Sequence, residues 1–292
     1  MIRLWFILAL ATAFFASLKD IFSKHAVNHS NPYLVAWTWT LGSLPFLLPL
    51  APLLPLARPA PAFWPALLAG SLLHVAATVL YLRAIEASDL SLTIPIIALS
   101  PLFLLVTSPL MLGERPSAAA GLGILLIVAG SYVLNINEYR KGWQAPFRAL
   151  LREPGPRLML GVVAIWSVTA NIDKIGIRSA SPLTWLLAVN SLVAVLLLPL
   201  VRRHTPRLAA VCRRESQRLL PVAICSALML VMQMYAIKFT LVPQVIAIKR
   251  TSVLFSVFLG GWLFREKHLR QRGLGAAIMV AGTMVILLAA GL

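Results

Sequence analysis

A chain of 292 residues that is 60% hydrophobic and 12% charged, with a mean hydropathy of +0.87, has too little polar surface for a soluble domain. Its net charge of +17 would suit nucleic acid. The basic residues are gathered in short connections between apolar runs, however, so the partner they indicate is a membrane surface.

A hydrocarbon core of about 30 Å requires roughly 20 apolar residues per helix. Such segments are predicted near 4–24, 33–54, 64–85, 92–112 and 118–137, then near 158–177, 183–201, 219–239, 243–264 and 273–291. The second set repeats the first. At an offset of 150, Ser17, Lys24, Pro32, Leu47, Leu48 and Pro49 fall on Ser167, Lys174, Pro182, Leu197, Leu198 and Pro199. At an offset of 152, Ala84, Ile85, Ser100, Phe103 and Glu114 fall on Ala236, Ile237, Ser252, Phe255 and Glu266. Gly121-Leu122-Gly123 and Ala129-Gly130 likewise fall on Gly273-Leu274-Gly275 and Ala281-Gly282.

The expected fold is an all-α polytopic membrane protein. Its ten transmembrane helices form two inverted five-helix repeats, since an odd number of spans per copy forces opposite orientations. The boundaries are 1–137 for the first repeat, 138–157 for a basic connecting loop and 158–292 for the second repeat. The first segment, with Arg3 ahead of it, has the look of a signal peptide. Its copy at 158–177 is internal and cannot be cleaved, so the segment is read as a helix.

Of the 26 basic residues, 17 fall on one predicted side of the membrane and 6 on the other. The rich side holds the loops with Arg140 to Arg157, Arg202 to Arg218 and Arg265 to Arg272, together with Lys24 and Arg83. By the positive-inside rule that side is cytoplasmic, which puts both termini outside. Arg83, Glu86 and Lys238 are expected at the membrane surface. Cys212 and Cys225 suggest no disulfide framework.

Lys19, Lys249 and Arg250 are the basic residues left inside predicted helices. An Arg or Lys at a helix centre costs roughly 2.5–3.5 kcal/mol on insertion scales, so neighbouring Lys249 and Arg250 cannot face lipid. At helical spacing Lys249, Ser252, Ser256 and Gly260 form one polar or small stripe with Arg250 on its flank. The pair either lines a cavity and binds an anion, Arg as a planar fork and Lys as a mobile charge, or is neutralised internally by Asp20, Glu86 or Asp173. Asp20, spaced i,i+4 from Lys24, is a candidate proton site or the charge partner of Arg250. Asp173-Lys174 sits at the corresponding end of the sixth helix, where a local ion pair and interfacial anchoring are the ordinary use.

His74 lies mid-helix and is a second candidate for proton coupling. Asn171, Asn190, Gln233 and Tyr235 either contact substrate or bond between helices. Trp37, Trp39, Trp166 and Trp185 either stack on a ligand, cage a cation or pack. The small pairs Ala119/Gly123 and Ala277/Ala281 allow close helix approach, within the chain or in a homodimer. The Gly113-Glu114-Arg115-Pro116 and Arg265-Glu266-Lys267 connections read as tight charged turns. There is no phosphate-binding glycine loop with its lysine, no Gly-x-Ser-x-Gly elbow and no clustered metal ligands. No catalytic residue, metal or cofactor is therefore expected, and the chain is not expected to be an enzyme.

Pro101 to Glu114, Gly121 to Gly130, and Tyr235-Ala236-Ile237 through Glu266 to Gly282 resemble the drug/metabolite transporter superfamily, and within it the EamA family. Trp166-Ser167 resembles that family's opening helix. The resemblance covers nearly the whole chain. It implies a secondary transporter in a bacterial inner (plasma) membrane, handling amino acids, sugars, nucleotide sugars or organic cations, with cytoplasmic termini. Lys249-Arg250 followed by an apolar run resembles the ninth helix of sugar-phosphate translocators in the same superfamily, which implies a phosphate-binding role for those two residues. Ile97 and Ala98 hold the equivalent places in the first copy.

The function expected is alternating-access movement of a small anionic or phosphorylated metabolite. Lys249, Arg250, Ser252 and Tyr235 would bind it, and Asp20 or His74 would couple protons or serve as charge partner. The expected partners are thus a small-molecule substrate, the lipid bilayer and a proton or counter-substrate, with no nucleic acid. An exporter of amino acids or organic cations, a flippase-like carrier of a lipid-linked head group and a non-transporting membrane subunit are the alternatives.

Overall fold

The computed structural model describes residues 2–50, 58–88, 94–134, 152–256 and 269–290, and the regular structure among them is helical throughout. In the first copy α1 is Ile2–Val27, α2 is Pro32–Thr40, α3 is Phe63–Ala87, α4 is Ser100–Leu112 and α5 is Ala118–Leu134. The second copy holds α6 Pro154–Ser179, α7 Pro182–His204, short α8 Leu208–Arg214, α9 Ser216–Phe239, α10 Val242–Lys249 and α11 Leu269–Ala289. Six segments are long and apolar enough to cross a bilayer: Leu4–Val27, Pro32–Leu50, Phe63–Ala87, Pro154–Ser179, Pro182–His204 and Ser216–Phe239. Ile96–Leu112, Ala118–Leu134 and Gly273–Ala289 are shorter apolar helices. The predicted ninth span continues at 252–256; its remainder, with Gly260 and Glu266, lies outside the described residues, as does most of the basic connecting loop.

Local signals place the helix ends. Asn31 caps α2 by accepting from the Tyr33 N–H at 2.8 Å, with Pro32 in the first turn. Ser181 caps α7 by accepting from the Thr184 N–H at 3.2 Å, with Pro182 in the first turn. Each polar cap satisfies an N–H that the helix itself leaves unpaired, and proline has none to lose. These two starts are repeat equivalents. Pro154 likewise opens α6, which begins there rather than near 158. Gly113 ends α4 with φ of 68°, a left-handed cap that favours glycine.

The two copies are interleaved. α1 packs along α9 and α3 along α6, while α5 packs along α11, α2 meets α7 and α4 meets α10. Exchanging the copies turns the α1–α9 contact into α6–α3 and leaves the other three pairings unchanged, as a twofold relation requires. The α5–α11 contact runs antiparallel. A Cβ on Gly123 would lie 2.7 Å from the Gly282 carbonyl, and one on Gly130 would lie 2.7 Å from the Met279 nitrogen and 2.8 Å from the Gly275 carbonyl. Small residues here bring two backbones into contact, since lipid gives helices no hydrophobic reason to associate. The expected small pairs are corrected accordingly: Gly123, Gly130, Gly275 and Gly282 make the contact, whereas Ala119, Ala277 and Ala281 are exposed.

Gly123→Leu should destabilise the fold by about 1–3 kcal/mol through overpacking. Gly121→Ala, where nothing lies within 4 Å of the added carbon, should be neutral or stabilising by up to about 1 kcal/mol. Thermal unfolding in detergent micelles compares them, and equal melting temperatures for the two variants would refute the packing argument.

Candidate substrate site between the two copies

Residues 242–248 are all buried, so α10 sits in the middle of the protein, against α1, α4, α5 and α9. The helix does not run through Lys249 and Arg250 as the sequence suggested. Residues 250–251 form a turn before helix resumes at 252, with tight i→i+3 bonds at Thr251 N–H to Ile248 O (2.9 Å) and Leu254 N–H to Thr251 O (2.9 Å). The proposed continuous stripe through Ser252 and Ser256 is therefore offset by a turn. The first copy is also irregular at the equivalent place, but there a 3-10 segment Ile94–Leu99 precedes α4. Pro95 and Pro101 account for that one by removing backbone donors. Non-helical backbone at membrane depth persists only when it is buried in protein or lines a cavity.

Lys249 Nζ donates to Gln233 Oε1 of α9 at 2.6 Å, and Arg250 Nε donates to Ser100 Oγ of α4 at 2.8 Å. The second bond joins the two copies. Among the described residues neither cation makes a salt bridge to Asp20, Glu86 or Asp173, although Asp20 stays within electrostatic range of both and Asp173 of Lys249. Asp20 is 59% exposed and pairs with Lys19 at 3.0 Å, not with Lys24 or Arg250. Asp173 is 4% exposed and accepts from Trp185 Nε1 at 2.9 Å, with His74 Nε2 at 3.5 Å. Glu86 is at the surface, as are Arg83 and Lys238. Tyr235 and Ser252 are half-buried on the adjoining elements.

An aromatic cluster crosses the copies nearby. Trp39 and Tyr81 have ring centroids 6.1 Å apart, Tyr81 and Trp166 5.8 Å, and Lys19 Nζ lies 4.3 Å from the Trp39 ring centre. Asn171 bonds Ser108 (2.6 Å) and Thr107 (3.0 Å) of α4, and Asn190 bonds its own helix. Both thus serve helix packing. Trp37 bonds the Ala194 carbonyl at 2.8 Å.

One charged centre was not legible in the sequence. Glu114, expected in a tight charged turn, is buried at 6% exposure. Its carboxylate pairs with Lys174 and, at 3.1 Å, with Arg178, and accepts the Val242 N–H at 3.0 Å. Lys174 also donates to the Thr240 carbonyl at 2.6 Å. The expectation that Lys174 anchors at the interface or pairs with Asp173 is corrected: neighbouring helical residues point about 100° apart, and each finds its own partner. This network ties α4 to α6 and α10 and borders a cavity of about 500 Å³ that Arg115 and Lys238 also line. A second cavity, of about 970 Å³, lies between α2, α7 and α8. Lys249 and Arg250 line neither.

The helices and the duplicated architecture define an integral membrane protein whose polar centre lies between two homologous halves. The model of the EamA-like transporter family matches residues 3–136 and again 154–288, so the chain belongs to that family of membrane transporters. No curated protein has a sequence that matches this chain. One solved structure, described as the crystal structure of a protein, is similar over 97% of this chain and 96% of its own, with a TM-score of 0.77 and 19% identity. That likeness concerns the fold.

Removing one partner of a buried ion pair leaves an uncompensated charge, so Glu114→Gln should cost about 3 kcal/mol. A Lys174→Met change in the same background should restore part of the loss. Thermal unfolding of the two single variants and the double variant forms a cycle, and strictly additive effects would show that Glu114 and Lys174 do not interact.

Proposed function

We propose that this protein is a secondary transporter that moves a small anionic, phosphorylated metabolite by alternating access, with Lys249 and Arg250 as the substrate-binding cations. The observation that supports this most directly is that, among the described residues, both hydrogen-bond neutral groups and neither makes an ion pair. Gln233 and Ser100 supply dipoles but no charge, and holding two adjacent half-buried cations without a counter-ion at membrane depth is costly. An anionic substrate would complete the site. A phosphate suits it, since Arg presents a bidentate fork and Lys a mobile donor. Ser252 and Tyr235 would orient the ligand. The antiparallel α5–α11 contact favours inverted repeats, and the broken fourth helix of each copy favours rocking of one copy against the other about the site.

For coupling, His74 is the better candidate than Asp20. It bonds a buried carboxylate across the two copies, whereas Asp20 is exposed and already paired. Proton movement through His74 and Asp173 predicts that Asp173→Asn retains substrate exchange and loses the pH dependence of net flux.

The runner-up is an exporter of organic cations or amino acids. Trp39, in a cluster with Tyr81 and Trp166, already holds one cation, Lys19, and a ligand amine could take its place.

The deciding experiment is ligand-induced thermal stabilisation of the purified protein by phosphorylated metabolites, amino acids and organic cations, in wild type and Lys249→Gln/Arg250→Gln. Stabilisation by phosphorylated compounds should disappear in the double variant, an affinity loss of about 10² or more for two charge-assisted contacts. Stabilisation by cations that survives in the double variant and is lost in Trp39→Leu would overturn the anion reading and establish the runner-up.

A further inference from the structure

The larger cavity, of about 970 Å³, combines two surfaces of different chemistry. Its lower part is apolar: Trp37 and Leu41 of the second span, and Ala194, Val195 and Leu198 of α7. Val195 is 64% and Leu41 37% exposed, so in an integral membrane protein this part opens toward lipid. Its upper part carries Arg202, Thr205 and Arg207, with α8 closing the rim through Leu208 and Cys212.

Three observations mark the upper part as a built site. Arg202 and Arg207 are exposed and have no ion pair among the described residues, whereas Arg214 and Arg218 nearby share Glu215 at 3.5 Å and 2.5 Å. Thr205 is 5% exposed, and its hydroxyl is buried without a hydrogen-bond partner. Arg207 has φ of 59°, a left-handed conformation that a side chain with Cβ adopts rarely, and it is the only described non-glycine residue with positive φ. The depth also fits. Val195 and Arg202 are separated by about 10 Å of helix rise, within the thickness of one leaflet.

We propose that this groove is a binding site for an anionic phospholipid. One acyl chain lies along Trp37, Leu41, Val195 and Leu198, and the phosphate sits between Arg202 and Arg207 with Thr205 donating to a head-group or ester oxygen. Lipid is the occupant favoured by the combination of a bilayer-facing apolar floor and unpaired arginines at the membrane border. Basic pockets between spanning helices on a positively charged face recognise anionic head groups in this way. The site is separate from Lys249 and Arg250 and does not depend on what is transported.

The test uses the full-length protein in detergent, with phosphatidylglycerol, phosphatidylcholine or inorganic phosphate added. Lipid retention is read by native mass spectrometry and stability by thermal unfolding. Phosphatidylglycerol should be retained roughly thirty-fold over phosphatidylcholine, the preference two arginines near an anionic head group confer. Arg202→Gln/Arg207→Gln should abolish that preference. Arg203→Gln/Arg213→Gln, which removes the same charge from residues outside the cavity, should keep it. Leu198→Trp, which fills the groove, should lose retention with both arginines intact.

A wild-type measurement stands apart from the folding of any variant. Cys212 lines the groove, and Cys225 in α9 is buried, so alkylation at Cys212 should slow when phosphatidylglycerol is bound. Equal retention of the two lipids, equal loss in both double-arginine variants, unchanged Cys212 alkylation, or stabilisation by inorganic phosphate that matches the lipid would each overturn the proposal. The last would assign the arginines to a free anion instead.

Discussion

A charge inside a bilayer must be solvated by protein, and few carboxylates are available here to do so. The chain has 26 basic and 9 acidic residues, and Glu114, Asp173 and Asp20 each have direct partners other than Lys249 and Arg250. Glu114 holds Lys174 and Arg178 while accepting the first backbone N–H of α10. Asp173 is held by Trp185 and lies beside His74, and Asp20 pairs with Lys19. Lys249 and Arg250 are therefore left with neutral dipoles as their hydrogen-bond partners. An ion pair at that position would have made a static core. Two cations with amide and hydroxyl neighbours instead leave the centre short of negative charge, and the proposed anionic substrate rests on that deficit.

The scaffold that presents these cations depends on close backbone contact. Gly123 against Gly282 and Gly130 against Gly275 bring the last helices of the two copies together. The cross-pairings of α1 with α9 and α3 with α6 make each copy complete the other's packing. Neither copy buries its own polar face alone. Contact between α4 and α10 follows from the same relation, and it puts Ser100 of one copy within reach of Arg250 of the other, 150 residues away in sequence.

The duplication was legible because glycine, proline and the turn glutamate recur at fixed offsets, and those residues mark backbone geometry that apolar drift does not erase. The intramembrane cations were legible for the opposite reason, since a charge in an apolar run contradicts its surroundings. Glu114 was not legible. Next to Gly113 and Arg115 it reads as a turn, and its partners lie more than fifty residues away on other helices. The Asp173-Lys174 pair misled because adjacency in sequence is not adjacency on a helix surface. Local reading also could not show that α10 ends at Lys249, because neighbours on α9 and α4, not propensity, hold the turn at 250–251.

The two copies share a scaffold and differ in charge, and the difference bears on mechanism. Ile97 and Ala98 stand where the second copy has Lys249 and Arg250. They fall in a 3-10 segment, whereas Lys249 completes an α-helix and Arg250 opens a turn. Two equivalent stretches of chain thus occupy two different conformations in one molecule. Under the alternating-access reading proposed above, the opposite-facing state would be reached by each copy adopting the conformation of the other. Residues near 246–251 would then tighten toward the geometry of Ile94–Leu99. That rewinding would turn Arg250 away from Ser100 and Lys249 away from Gln233, because a 3-10 turn places successive side chains about 120° apart and an α turn about 100°. Both hydrogen bonds made by the cations would thereby be coupled to the state of the transporter.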